Sequence, residues 1–229
     1  MRTRFLGYNI PYDVGMASMR EAMANVDADG PVLLLLEHED VITTTRQHGR
    51  AHLIVPADLI EQQGIRVIET DRGGDVTFHG KGQLVGYPVL RLDLGVGAAD
   101  YVRSLESTLL DACQRLGLTG AHTLHGFTGI WIKDPDTEQE KKLIAIGVGI
   151  SRGVTRHGFA LNITTALERF TACITPCGLT SYGVTSLERE FARIGRSAPS
   201  FGVACEVIAH AFEKGFSQLC EGAATRPII

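Results

Sequence analysis

Residues 65–92, IRVIETDRGGDVTFHGKGQLVGYPVLRL, decide how this chain is read. Strand-like runs at 65–69, 76–79 and 83–92 alternate with glycine-bearing turns, where the absence of a Cβ lets the backbone reverse sharply. A parallel crossover needs a dozen or more residues, and these connections are far shorter, so antiparallel pairing is expected. Upstream, Met16, Met19, Met23 and Val26 mark one stripe of a helix over 13–26, and 32–36 (VLLLL) is a buried strand. Pro56 and Gly64 bracket a short helix. Downstream, Tyr101, Leu105, Leu109, Ala112 and Leu116 recur at helical spacing before Gly117. Strands are expected at 129–133 and 142–150 around the polar hairpin DPDTEQEK, with a third at 157–163. Thr185-Ser-Leu-Glu188 has the form of a capping box, and Ser200 can cap a terminal helix carrying Phe201, Ala204, Ile208, Phe212 and Leu219. The class is therefore mixed α and β.

Composition narrows the function. The chain has 229 residues, no internal repeat and no Pro/Gly/Ser linker, and is read as one unit over 1–229. A formal charge of −4 gives no overall attraction to nucleic acid or anionic membrane. No apolar run is long enough for a signal peptide or a membrane span, so a cytoplasmic protein is expected. Five cysteines, an odd number without an export signal, argue against a disulfide framework, and the lone C-x3-C of Cys173 and Cys177 is a poor zinc site. The phosphate-loop, dinucleotide, H-E-x-x-H and G-x-S-x-G patterns are all missing, so neither metal nor cofactor is called for.

Chemistry concentrates in three places. Cys177 lies in ITPCGL, where Pro176 and Gly178 present the thiol on a loop. A free thiol has a pKa of about 8.5 and needs a neighbouring base or cation to act as a nucleophile at neutral pH. Lys141 and Lys142 precede the apolar run LIAIGVGI, and spacing alone does not choose between them. A lysine there is ordinarily just solvated. The turn carrying Arg72 and His79 faces, in sequence, the glycine-bearing strands of Gly147, Gly149 and Gly158, a pattern of bulges or of a groove where a ligand lies on the backbone. Arg46, His48, Arg50 and His52 form a basic cluster, a solvated loop or a meeting point for an acidic partner surface or a phosphate.

The segments RGGDVTFHGKGQLVGYPVL, KLIAIGVGISRGVTRHGFALNI, ITPCGL and VTSL together closely resemble the lipoyl(octanoyl) transferases. The resemblance implies an α+β fold, a mixed, largely antiparallel sheet flanked by helices, like the catalytic domain of biotin and lipoate protein ligases. It implies transfer of an octanoyl group from octanoyl-acyl carrier protein to a lysine of apo lipoyl domains, those of 2-oxoacid dehydrogenases and the glycine-cleavage carrier protein, as the first step of endogenous protein lipoylation. Cys177 matches the acyl-carrying cysteine, and Lys142 the lysine that activates it. Substrate contacts carry over to Arg72, Gly73, Gly74, Asp75, Val76, Thr77, Phe78 and His79, to Ala145, Ile146 and Gly147, and to Gly158, Phe159 and Ala160. Their apolar and glycine faces would hold the acyl tail, with Arg72 and His79 orienting its polar end. Three places depart from the family pattern: Lys81 replaces proline, Asp75 replaces glutamine or lysine, and TTTR at 43–46 replaces TLGR. An ATP-dependent lipoate or biotin ligase and a non-catalytic acyl- or lipoyl-domain-binding protein are the competing readings.

Overall fold

The computed structural model describes residues 1–46, 49, 51–174 and 182–221. Its elements, in chain order, are β1 (Arg2–Phe5), α1 (Tyr12–Asp29), β2 (Val32–Leu36), β3 (Val41–Thr45), α2 (Ala57–Gln62), β4 (Arg66–Thr70), β5 (Thr77–His79), β6 (Gln83–Val89), α3 (Ala98–Arg115), β7 (Ala121–Leu124), β8 (Phe127–Lys133), β9 (Glu140–Ser151), β10 (Val154–Asn162), α4 (Leu167–Cys173), β11 (Gly183–Val184), α5 (Leu187–Arg193) and α6 (Phe201–Glu221). The main sheet runs β1-β2-β6-β10-β9-β8-β7, with β11 added alongside β9. Its pairs are antiparallel except β1 with β2 and β11 with β9. Among the described residues no helix is long and apolar enough to cross a membrane.

Strand β2 shows why this sheet is buried on both sides. Leu33 and Leu35 belong to the core under α3 and α6, while Val32, Leu34 and Leu36 belong to the core under α1. Side chains alternate across a strand, so an unbroken apolar run means both faces are covered. The methionine stripe of α1 is buried through Met16 and Met19. Gly117, at φ +92°, ends the turn after α3 in a conformation that costs other residues strain.

A smaller, separate sheet runs β4-β3-β5. Here the short-range expectation for residues 65–92 needs correcting. β4 and β5 do not pair with each other or with β6; both flank β3, β4 in parallel and β5 antiparallel. The parallel pair is possible because 20 residues including α2 separate Thr45 from Arg66, long enough for a crossover. A second correction lies at α5, where the N-cap is Ser186, one residue after the expected Thr185, and its hydroxyl accepts from the Arg189 N–H. Thr185 donates instead to the buried Glu190 carboxylate. Ser200 caps α6 as expected, accepting from the Val203 N–H at 3.3 Å.

Candidate active site

A cleft lies between the main sheet and the segment that links β4 to β5. Its floor is the middle of β6, β10 and β9, where Ala145 faces Ala160, Ile146 faces Phe159 and Gly147 faces Gly158. Its roof is residues 72–79, pinned to the floor by the Gly73 N–H to the Val148 carbonyl (2.8 Å) and to β3 by the Thr45 hydroxyl on the Gly74 carbonyl (3.1 Å). Glycine is required at two close approaches, one between roof and floor and one between β10 and β6 within the floor. A Cβ on Gly147 would stand 2.9 Å from the Gly73 oxygen, and one on Gly158 would stand 2.1 Å from the Gly86 oxygen.

The residues expected at the site mostly converge here. Arg72, Gly74, Asp75, Val76, Thr77 and His79 line the cleft from the roof. Lys142, Ala145, Ile146 and Gly147 line it from β9, and Gly158, Phe159 and Ala160 from β10. Gly73 and Phe78 stand behind this surface: Gly73 makes the backbone bridge to β9, and Phe78 is buried with Ile42, Ile60 and Val76. Arg72 packs on Gly147 and donates to the Thr43 carbonyl and hydroxyl at 3.0 and 2.9 Å. That contact lies five residues along β9 from Lys142. Asp75 accepts from the Val76 N–H and pairs with His52, which gives this departure from the family pattern a local partner.

A slip in one strand pair sends the two lysines to different surroundings. Ile130 of β8 faces Ile144, but its neighbour Trp131 faces Lys142, so β9 carries one extra residue, Leu143. Leu143 and Ile144 both enter the core under α3 and α6, and Lys142 and Ala145 both reach the cleft. In a regular strand two residues three positions apart point to opposite faces; the bulge removes that conflict. Lys142 lies with its Nζ 4.5 Å from the centre of the Trp131 ring, within cation–π range. Lys141 points elsewhere and pairs with Asp134. Arg193 and Lys141 hold the Asp134 carboxyl well below the usual carboxylate range.

The amides and histidines in and behind the cleft are oriented by buried hydrogen bonds. Asn162 Nδ2 donates to the Thr185 carbonyl (3.0 Å), so its Oδ1 accepts from Gln83 Nε2 (2.9 Å). Gln83 also donates to the Phe78 carbonyl, leaving its Oε1 to accept from His79 Nδ1 at 2.8 Å. The proton of His79 is thus on Nδ1, and burial, with smaller repulsion from His38 and Arg72, pushes its pKa down to about 3. His38 donates through Nδ1 to the Ile10 carbonyl and accepts the Tyr87 hydroxyl at 2.6 Å; burial lowers its pKa too. His157 sits at φ +56°, rare for a residue with a Cβ, and its Nε2 meets Asp71 at 2.8 Å. Burial lowers its pKa as well, against the opposing pull of Asp71.

Cys177 falls in 175–181, outside the described residues. The flanks are placed. Ile174 bridges to Leu53, and Tyr182 packs on Phe127 and Trp131 with ring centres 4.9 and 5.5 Å away. Val184 pairs with Lys142 and lines the cleft. Burial raises the thiols of Cys113, to about 12, and Cys205, to about 11, and it raises Cys173 as well. Those three stay protonated and unreactive near neutral pH. His48 and Arg50 of the basic cluster also lie outside the described residues, while Arg46 pairs with Glu69 at 3.6 Å.

Sequence reasoning missed Tyr12, Gln83, Tyr87, His157 and Asn162 as cleft residues. Gln83 and Asn162 sit inside the motifs HGKGQ and ALN, so alternation from the glycines could have found them. Tyr12 could not be found that way, since only the docking of α1 brings it to the cleft.

The family model described as the lipoyl protein ligase A/B catalytic domain matches residues 11–213. Curated relatives named octanoyltransferase include one from Koribacter versatilis, 45% identical over 164 residues, covering 70% of this chain and 63% of that protein. One from Acidobacterium capsulatum is 45% identical over 169 residues, covering 70% of this chain and 68% of that protein, and one from Myxococcus xanthus is 39% identical, covering 89% and 56%. The matched part of this chain thus spans about three fifths of the length of several such relatives. Among solved structures, the bipartite lipoate protein ligase studied with its E2 lipoyl domain from Thermoplasma acidophilum aligns with a TM-score of 0.78 at 16% identity, over 94% of this chain and 83% of that one. Lipoate-protein ligase A bound with ATP aligns with a TM-score of 0.72 at 17% identity, over 95% and 86%. These structural likenesses confirm the expected α+β fold. With a family match over most of its length and relatives above 30% identity, this chain belongs to the lipoyl protein ligase A/B catalytic domain family.

Proposed function

We propose that the chain is an octanoyltransferase that carries the acyl group as a thioester on Cys177, with Lys142 as the activating partner, and that residues 1–229 act as one catalytic domain in the cytoplasm. The observation that carries this reading is the placement of Lys142 on the cleft face, beside the placed flanks of the Cys177 stretch, while Lys141 is committed to Asp134. The shared name and identity of the curated relatives point the same way.

The chemistry is two acyl exchanges. Lys142 takes the Cys177 proton or holds the thiolate by its charge, and the sulfur attacks the thioester carbonyl of octanoyl-acyl carrier protein. The bond to the carrier's pantetheine sulfur breaks, and that sulfur leaves as a thiol with the proton returned. The amine of a lipoyl-domain lysine, from a 2-oxoacid dehydrogenase or the glycine-cleavage carrier, then attacks the acyl-Cys177 carbonyl. An amide forms, and Cys177 leaves as thiolate and regains its proton. Thioester-to-thioester exchange is nearly balanced and thioester-to-amide is downhill, so neither nucleotide nor metal is required. The cleft between β9, β10 and the 72–79 roof supplies the apolar slot for the tail, and neutral His79 supplies an acceptor that does not compete as a cation.

Incubation with octanoyl-acyl carrier protein, read by intact mass, should add one octanoyl group that hydroxylamine removes. A Cys177→Ser protein that gains the same hydroxylamine-labile adduct would sink the assignment, as would lipoyl-domain modification that depends on ATP.

A further inference from the structure

The acyl cleft and a second cleft share one wall, the side chain of Tyr12. The acyl cleft runs along β9 from Lys142 to Gly147 and ends against Arg72, Tyr87, His157 and Tyr12. Beyond Tyr12 lies the other cleft, about 510 Å³, whose lining mixes apolar Met16, Met19, Met23 and Ile68 with charged groups that include Arg20, Glu69 and Arg156. We infer that Tyr12 is the stop that limits acyl-chain length, and that the methionines beyond it are a latent extension of the acyl site. This inference rests on the acyl-transfer reading.

Dimensions support a stop at this place. Five strand residues from Lys142 to Gly147 span roughly 17 Å. An extended octanoyl chain takes up roughly 9 Å at ordinary bond lengths, and a tetradecanoyl chain roughly 17 Å. An octanoyl chain fits within that span, whereas a tetradecanoyl chain fills all of it and would meet the Tyr12 ring.

The wall is held in place from several sides. Tyr12 is the first residue of α1, is buried, and donates its hydroxyl to Thr70 Oγ1 at 3.0 Å. Its ring lies 5.3 Å from that of His38, itself fixed between the Ile10 carbonyl and the Tyr87 hydroxyl. A methylene chain therefore cannot push the ring aside without breaking several contacts. The far side is the opposite case, because methionine side chains are flexible and polarisable and repack readily around an apolar guest.

The test is competition loading with carrier proteins bearing hexanoyl, octanoyl, decanoyl and tetradecanoyl chains, read by intact mass on wild type, Tyr12→Leu and Tyr12→Trp, with folding followed by thermal melting. Burying each further methylene is worth roughly fourfold in affinity. Tyr12→Leu should raise the tetradecanoyl-to-octanoyl ratio at least tenfold. A folded Tyr12→Leu protein with the wild-type ratio overturns the inference. Should Tyr12→Leu fail to fold, Tyr12→Trp decides: its larger ring should shift preference toward hexanoyl, and an unmoved profile overturns the stop. A wild-type chain that gains no adduct from any carrier overturns the acyl-transfer reading and the stop with it, whereas loading with an unmoved profile in the variants overturns the stop alone.

Discussion

His79 Nδ1 lies 2.8 Å from Gln83 Oε1, and this contact decides which edge of the imidazole is left to meet a substrate. Because Gln83 is oriented by Asn162 and Asn162 by the Thr185 carbonyl, the proton on His79 is assigned from the backbone of the strand–helix junction inward. Nuclear magnetic resonance of labelled histidine should find His79 as the Nδ1–H tautomer, with no titration between pH 5 and 8. Gln83→Leu should cost about 1–3 kcal/mol in stability by leaving buried partners unpaired. A His79 resonance that titrates near pH 6.5 in the wild type would refute the assignment.

Acid stability should follow from the same burial. The folded chain keeps His79 neutral until about pH 3, whereas the unfolded chain protonates it near 6.5. The unfolded state thus binds more protons as pH falls below 6.5, and stability is lost from there downward, the loss ceasing near pH 3. For His79 alone the loss reaches about 2 kcal/mol by pH 5. His38 and His157, also lowered, add in the same direction. Urea midpoints measured from pH 7.5 to 5 should fall steadily, and a flat profile would contradict the buried neutral histidines.

Lys141 and Lys142 should separate cleanly on substitution. Lys142→Met should slow acylation of Cys177 by about a hundredfold or more, the scale of a lost proton-transfer group, with little change in melting temperature. Lys141→Met should leave acylation near wild type and lower stability, since it strips one partner from the buried Asp134 carboxylate. Single-turnover loading and thermal unfolding of both variants check the pair, and equal loading rates would undo the choice of Lys142.

Gly129 guards the bulge that turns Lys142 to the cleft. It stands at φ +114°, and a Cβ there would come 2.4 Å from the Ile144 oxygen. Gly129→Ala should therefore destabilise the protein by about 1–3 kcal/mol and reduce loading more than an equally destabilising change in α3, because it disturbs the β8–β9 register. Loading that tracks stability alone would show that the bulge does not position Lys142.

Much of the fold could be read locally. The stripe of Met16 and Met19, the VLLLL run and the spacing from Tyr101 to Leu116 each reported a buried face, because helix and strand periods act over a few residues. Strand partners were a different matter. Residues 65–92 looked like a local antiparallel set, yet β3, far upstream, inserts between β4 and β5, and β6 joins the other sheet. Its run of buried threonines, Thr43 to Thr45, gave no clear apolar signal to announce it.

The site divides along the same line. Residue types and their order supplied the family and the glycine-bearing strands, and they single out Cys177 as the proposed thiol, since these depend on chemistry and close backbone approach that single residues encode. In the sequence only resemblance separates Lys142 from Lys141; in the structure an extra residue in β9, visible once Trp131 and Lys142 are paired, turns Lys142 toward the cleft. Tyr12 reached the cleft through the docking of α1, and the protonation of His79 through a relay spanning Gln83, Asn162 and Thr185. Those features depend on contacts between residues distant in the chain, where register and packing, and no local pattern, set which side chains meet.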